Sequence, residues 1–194
     1  MDATVATPAR SRYLSHAELV HRPGERHLAH DFLALLGIDL EDAMGGRFMM
    51  AVVDKASYVP QDFENFFGGS EVHSEQWAFE EALIDAIGEG GELGERFAAY
   101  QDRLDRDPTS GMHIGIHYPE IDAWEETVAR LQGLDQEFPD LKGRVRIASL
   151  TRPGDPGSFP PLYQCFVWTD IISAGSLAIG QRWELSAIDP GFAA

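Results

Sequence analysis

The chain holds a single cysteine, Cys165. A lone thiol closes no internal disulfide and fills no cysteine-rich zinc pattern, and it fits a reducing compartment. Its apolar setting, PLYQCFVW, predicts a buried, inert side chain. No stretch approaches the roughly 18 consecutive apolar residues of a membrane helix, and the opening MDATVATPARSRY has no apolar leader core. A cytoplasmic protein is expected. Basic residues are also few: 15 Lys and Arg against 32 Asp and Glu give a net charge of −17. Such a surface repels phosphate backbones and anionic lipid, so neither nucleic acid nor a membrane is an expected partner. Nucleotide-binding and Ser-His-Asp signatures are missing as well. The glycine-rich GEGGELGE lacks the preceding strand that a dinucleotide motif needs, and it reads as a helix break.

What is present describes a globule. The 194 residues are 44% hydrophobic, and a chain this long can bury about 70% of its unfolded surface without staples. Any metal here serves chemistry rather than folding. YLSHAELV reads as a strand, and Leu28, Phe32, Leu35 and Leu36 then recur at helical spacing from about Gly24 to Leu36. RFMMAVV, residues 47 to 53, reads as a second strand. Residues 58 to 108 read as an inserted helical segment, with EQWAFEEALIDAI and LGERFAAYQDRLDRD as its two helices. The opening pattern then returns. MHIGIHY alternates, PEIDAWEETVARLQGL is helical, and RVRIASL, PLYQCFVWTDII and LAIGQRWELSAI are three further strands. Two unequal copies of one module follow from this repetition.

Alternation assigns faces, because neighbouring side chains on a strand point to opposite sides. Met112, Ile114 and Ile116 form the apolar set of one strand, while His113, Gly115 and His117 share its other face. In the last strand Trp183, Leu185 and Ala187 oppose Arg182, Glu184 and Ser186. In the first, Ala17 and Leu19 oppose His16, Glu18 and Val20. If the polar faces line one cavity, His16, His113 and Glu184 form a two-histidine, one-carboxylate set that holds a divalent metal with open positions. The alternative is two hydrogen-bonded strand histidines and a solvated glutamate. His117 is a candidate acid or base beside His113, and Tyr163 and Arg182 are candidates to steady an anionic substrate oxygen. His27 and His30 read as surface residues, and His21 and His73 carry no signal. Trp77, Phe79, Phe97 and Trp124 read as core rather than a substrate cage.

SHAELVHRPGERHLAHDFLALLGI resembles the opening of the vicinal oxygen chelate superfamily, which includes glyoxalases, extradiol dioxygenases and bleomycin-binding proteins. The shared pattern is a strand bearing a histidine, a short polar turn, and a helix ending in Leu-Gly, here Leu36-Gly37. GMHIGIHYPEIDAWEETVARLQGL is similar to the start of the family's second module, and GQRWELSAI to its closing strand, where a glutamate precedes a leucine. The resemblance implies an α+β fold of paired β-α-β-β-β modules forming a cupped mixed sheet with helices outside. It implies His16, His113 and Glu184 as ligands of a divalent ion, Fe2+, Zn2+, Ni2+ or Mn2+, and a homodimer. The first module departs from the family pattern through the helical insertion, and no residue there matches the fourth glutamate ligand of glyoxalase I.

The expected organisation is a flexible N-terminus (1–12), a modified first module (13–57), the insertion (58–108), the second module (109–189) and a tail (190–194). The expected function is that of a metal-dependent enzyme acting on a small substrate with vicinal oxygens, extradiol-type ring cleavage being one version. The alternative is a metal-free small-molecule or antibiotic-binding protein of the same fold.

Overall fold

A computed structural model describes residues 15–43, 48–56, 58, 64–189 and 191. The expected flexible N-terminus and nearly all of the expected tail lie outside the described residues. The first module runs β1 (His16–His21), α1 (Arg26–Leu35), β2 (Asp39–Ala43), β3 (Phe48–Val52) and β4 (Phe66–Glu71). Two helices follow, α2 (Ser74–Gly88) and α3 (Gly91–Arg106). The second module runs β5 (His113–His117), α4 (Ile121–Gln132), the short α5 (Leu134–Glu137), β6 (Val145–Thr151), β7 (Leu162–Thr169), β8 (Ile172–Ser173) and β9 (Gln181–Ile188).

The fold is α+β, and both modules have one topology. In the first, β1 lies parallel to β4, and β4, β3 and β2 follow as antiparallel neighbours. In the second, β5 lies parallel to β9, and β9, β7 and β6 follow in the same way. The sheets have the orders β2-β3-β4-β1-β8 and β5-β9-β7-β6. β8 leaves its own module and pairs with the outer edge of β1, Val20 opposite Ser173 and His21 opposite Ile172.

Two strands were not foreseen. β2 carries the sequence DLEDA, too acidic to read as a strand, and its pairing with β3 overrides that weak propensity. β4 lies inside the segment read as a helical insertion and completes the first module. Its sequence, FFGGSE, has no period of 2, and paired glycines weaken a strand signal. Gly68 is nonetheless fitted to its place, because a Cβ there would stand 2.5 Å from Glu18 Oε2. The helices begin only at Ser74, and their break at Gly90 and Gly91 has φ of +79° and +69°, which glycine adopts freely.

One apolar core joins the modules. Leu19, Phe32 and Leu33 of the first pack in the same cluster as Trp124, Val128 and Leu185 of the second. Phe32 and Phe67 meet the Trp183 ring edge-on at centroid distances of 5.6 and 5.2 Å. α4 lies on β9, where Trp124 Nε1 donates to the Leu185 carbonyl at 2.8 Å. The C-terminal carbonyls of α1, left open by helix geometry, are closed by the other module. Arg130 Nη1 donates to Ala34 and Leu35 at 3.3 and 3.1 Å, and the Tyr118 hydroxyl to Leu36 at 2.8 Å. A second tie is ionic: Asp170 accepts from Arg22 and Arg144, and Arg144 also donates to Glu25.

The α2–α3 hairpin is a packing element. Asp105 on α3 meets Arg182 at 3.0 Å and Arg146 at 2.9 Å, and Gln101 accepts from Arg182 at 2.7 Å. Glu80 on α2 is buried and accepts from the Ser176 hydroxyl at 2.7 Å and the Ala178 amide at 2.9 Å. Phe79, expected in the core, is instead 66% exposed. It sits one position off the inward face that Glu80 defines. Among the described residues no helix is long and apolar enough to cross a membrane.

Candidate functional site

Strand alternation puts His113, Gly115 and His117 on one face of β5, and parallel pairing sets Gly115 beside Glu184 and His117 beside Ser186. Within this face His113 Nε2 lies 3.1 Å from Glu184 Oε2. The other nitrogen, Nδ1, is 2.9 Å from the Gly111 carbonyl, which can only accept. Nδ1 therefore carries a hydrogen, and Nε2 is the nitrogen that faces the carboxylate. Gln164 on β7 donates to Glu184 Oε1 at 2.7 Å and so turns Oε2 toward the histidine. Phe166 closes one side, meeting the His113 ring edge-on at 5.5 Å. His117 Nδ1 lies 3.4 Å from the Ser186 hydroxyl.

An imidazole nitrogen facing a carboxylate oxygen is joined either by a proton, as an ion pair, or by a cation held between them. Neighbouring ligand atoms around a first-row ion, with bonds of about 2.1 Å at right angles, stand about 3.0 Å apart. The His113–Glu184 spacing of 3.1 Å fits that span, as it also fits a direct N–H···O bond. The Gly111 carbonyl then plays the part of an outer partner that fixes the ring and its tautomer.

His16 is placed differently from the other two expected ligands. It stacks on Phe66 at 5.1 Å with a 9° tilt, its Nδ1 is 2.8 Å from the Ser15 hydroxyl, and its Nε2 is 3.5 Å from Glu18 Oε1. Among the described residues no three His, Cys, Asp or Glu side chains converge as a metal-holding group. Of the expected set, the structure brings together His113 and Glu184 alone. His16 and His113 do border one cavity of about 980 Å³ between the modules, with His117, Phe66, Phe67 and Tyr118 also on its wall. Burial pushes the Tyr118 hydroxyl up to about 12, so it stays a neutral donor.

No family model matches this chain, and no curated protein matches its sequence. A solved structure, that of hypothetical protein SA1046 from S. aureus, aligns with 92% of this chain and 94% of its own at 7% identity and a TM-score of 0.38. A likeness that distant establishes neither a shared fold nor a shared activity.

Of the remaining expected site residues, Arg182 stands beside His113 in the strand pairing but is not open to a substrate, and Tyr163 lies on the other face. Arg182 is 3% exposed and held by Asp105 and Gln101 under α3, which closes it to a substrate. Tyr163 points to the opposite face of β7 from Gln164, its ring edge-on to Trp124 at 5.4 Å. His27 and His30 are exposed on α1. Gln164 and Glu18 were missed as site residues. Glu18 had a signal, since it shares the His16 face two positions on. Gln164 had none, because nothing in an apolar run marks which residue will meet a carboxylate across the sheet.

Proposed function

We propose that this protein is a metal-dependent enzyme of the vicinal oxygen chelate type, taking a small substrate with two adjacent oxygens into the cavity between its modules. The observation that supports it is the His113–Glu184 pair, an imidazole nitrogen and a carboxylate oxygen 3.1 Å apart on adjacent strands of a duplicated β-α-β-β-β fold. Imidazole and carboxylate suit Fe2+, Zn2+, Ni2+ or Mn2+, and such an ion supplies charge stabilisation to a chelated substrate oxygen, or a site for dioxygen in the extradiol version. His113 and Glu184 hold it, Gln164 orients the carboxylate, and His117 on the cavity wall accepts or returns a proton at the substrate. Phe66, Phe67 and Ile114 give that wall its apolar part. A cytoplasmic location accords with the buried, unpaired Cys165.

One observation favours the second reading, a metal-free small-molecule binder of the same fold: His16 is turned to Glu18 rather than to His113. Elemental analysis separates the two. Protein purified without added metal or chelator is expected to carry near-stoichiometric first-row ion, and His113→Ala and Glu184→Gln to lose it. Wild type without metal, taking up none on anaerobic reconstitution with these four ions, overturns the enzyme reading in favour of the binder.

A further inference from the structure

The cavity between the modules runs along the edge of a strand. β5 is the last strand of its sheet, and among the described residues no strand pairs with its outer side. A strand residue sends its N–H and C=O to the same side, and successive residues alternate. The Tyr118 amide donates to the Ser186 carbonyl of β9 at 2.8 Å, so Tyr118, Ile116 and Ile114 turn their backbone groups into the sheet. Those of His113, Gly115 and His117 therefore point out of it. The cavity wall includes Ile114, Gly115 and Ile116 together, although the two isoleucines and the glycine belong to opposite faces of β5. Only the edge of a strand presents both faces at once, and a glycine has nothing but backbone to offer. Another part of the wall is His16 and Ala17, the first residues of β1, ahead of Val20 and His21 where β8 covers that strand. The cavity is thus a slot between two sheets, with a row of open amide and carbonyl groups down one side.

We propose that this slot binds an extended peptide of neutral or basic charge, which adds a strand to the outer edge of β5. Outward groups recur at every second residue, so those from His113 to His117 span about 13 Å and face a segment of about five residues. Proteins guard a free edge with lysine, proline or a bulge. The β5 sequence, HIGIH, has neither Lys nor Pro, and its pairing with β9 runs without a register shift. Charge selects the occupant. Asp54 and Glu126 stand on the wall, while Arg130, the sole Lys or Arg among its described residues, is bound to Glu137 and to the Ala34 and Leu35 carbonyls. With −17 on the whole chain, an acidic peptide is repelled and a basic one is drawn in. Asn65 adds a side-chain contact. It borders the slot with φ of +63°, a left-handed conformation that asparagine tolerates better than most residues, and its carboxamide can donate and accept as a peptide group does. The inference goes beyond the reaction proposed above and needs no ion.

The test presents the immobilised full chain with a pool of blocked random hexapeptides, and the tightest sequence recovered then serves as the probe. Amide exchange followed by NMR should slow at Gly115 and His117 when the probe is bound, and stay unchanged at Ile116 and Tyr118, whose hydrogens already face β9. Gly115→Pro deletes an N–H that the sheet does not use, and should weaken the probe about tenfold. Gly115→Ala keeps that N–H, and a Cβ there meets nothing within 4 Å, so its affinity should match wild type. Asn65→Gly suits the φ of +63°, which glycine adopts freely, and should keep the fold while losing affinity severalfold. Circular dichroism checks all three variants. Equal affinity in wild type and Gly115→Pro, equal loss in Gly115→Pro and Gly115→Ala, or exchange slowed nowhere on β5 overturns the inference. So does a pool from which nothing, or only acidic sequences, is recovered. Each of these results leaves the metal reading standing, because elemental analysis decides that without a peptide.

Discussion

Arg144 Nε donates to Asp170 Oδ1 at 2.6 Å, and the other oxygen of the same carboxylate accepts from Arg22 at 2.6 Å. One acid thus holds a guanidinium from each module. Burial alone would lower the Arg144 pKa, but its bonds to Glu25 and Asp170 outweigh that and raise it, so the Arg144 guanidinium stays charged. The three side chains are 17 to 24% exposed, more screened from water than an ordinary surface pair. Asp170→Asn should cost about 1–3 kcal/mol, because two desolvated cations lose half their partner charge. Thermal melting checks it, with an expected fall of about 3–10 °C for a chain of this size. An unchanged melting temperature would show that this ionic cluster adds nothing measurable to the joining of the modules.

Glu80 fastens the helical hairpin. Replacing it with Ala strips partners from the Ser176 hydroxyl and the Ala178 amide and leaves a buried void, a loss of about 2–3 kcal/mol. Limited proteolysis should then cut faster between residues 174 and 180, and a cleavage pattern like that of wild type would remove Glu80 from this role.

Burial pushes the Cys165 thiol up to about 12, and the side chain has no exposed surface. A disulfide reagent at pH 8 should leave it unmodified in the native protein and titrate one thiol in guanidinium chloride. Rapid native labelling would mean that the β7 face opens readily.

Glu125 is held below its ordinary carboxylate value, first by the hydrogen bond from Arg152, against a smaller opposing effect of burial. A depressed folded pKa gives stability above the unfolded pKa, and that stability is lost as pH falls through the folded value. Arg152→Ala should therefore destabilise more at pH 7 than at about pH 3.5, the difference being a few tenths of a kcal/mol because the pair is 39% exposed on both sides. The stacking of Arg152 on Trp124 at 5.4 Å is lost at either pH. Urea denaturation at the two pH values measures the change, and a gap that widens in acid contradicts the pairing.

Much of this was legible because local period and tertiary face agree. MHIGIHY alternates cleanly, so His113 and His117 were placed on one face correctly. Glu184 shared a face with Arg182 and Ser186 in the same way, and parallel pairing set it beside Gly115, two positions from His113 on the same face. β4 escaped because Phe66, Phe67, Gly68 and Gly69 carry no alternation, and β2 because its acids are tolerated only through pairing with β3. Arg182 was misjudged for a different reason. Its strand face was right, but docking of α3 through Asp105 is a long-range event that no local pattern records. The partner of His16 depended on which of two equivalent strands supplies a carboxylate, a choice visible only once Gly68 and Gly115 are seen opposite their glutamates.

β8 bears on what kind of unit this duplicated chain is. A two-residue strand, Ile172–Ser173, lies between two strands of one sheet in sequence yet hydrogen-bonds to the other. The copies are stitched as well as packed. Trading a module with a neighbouring molecule, the common fate of paired repeats, would first require pulling that stitch and the Arg22–Asp170 clasp beside it. Amide exchange should accordingly protect both sheets to a common ceiling and release them together, as one cooperative body rather than two domains in tandem.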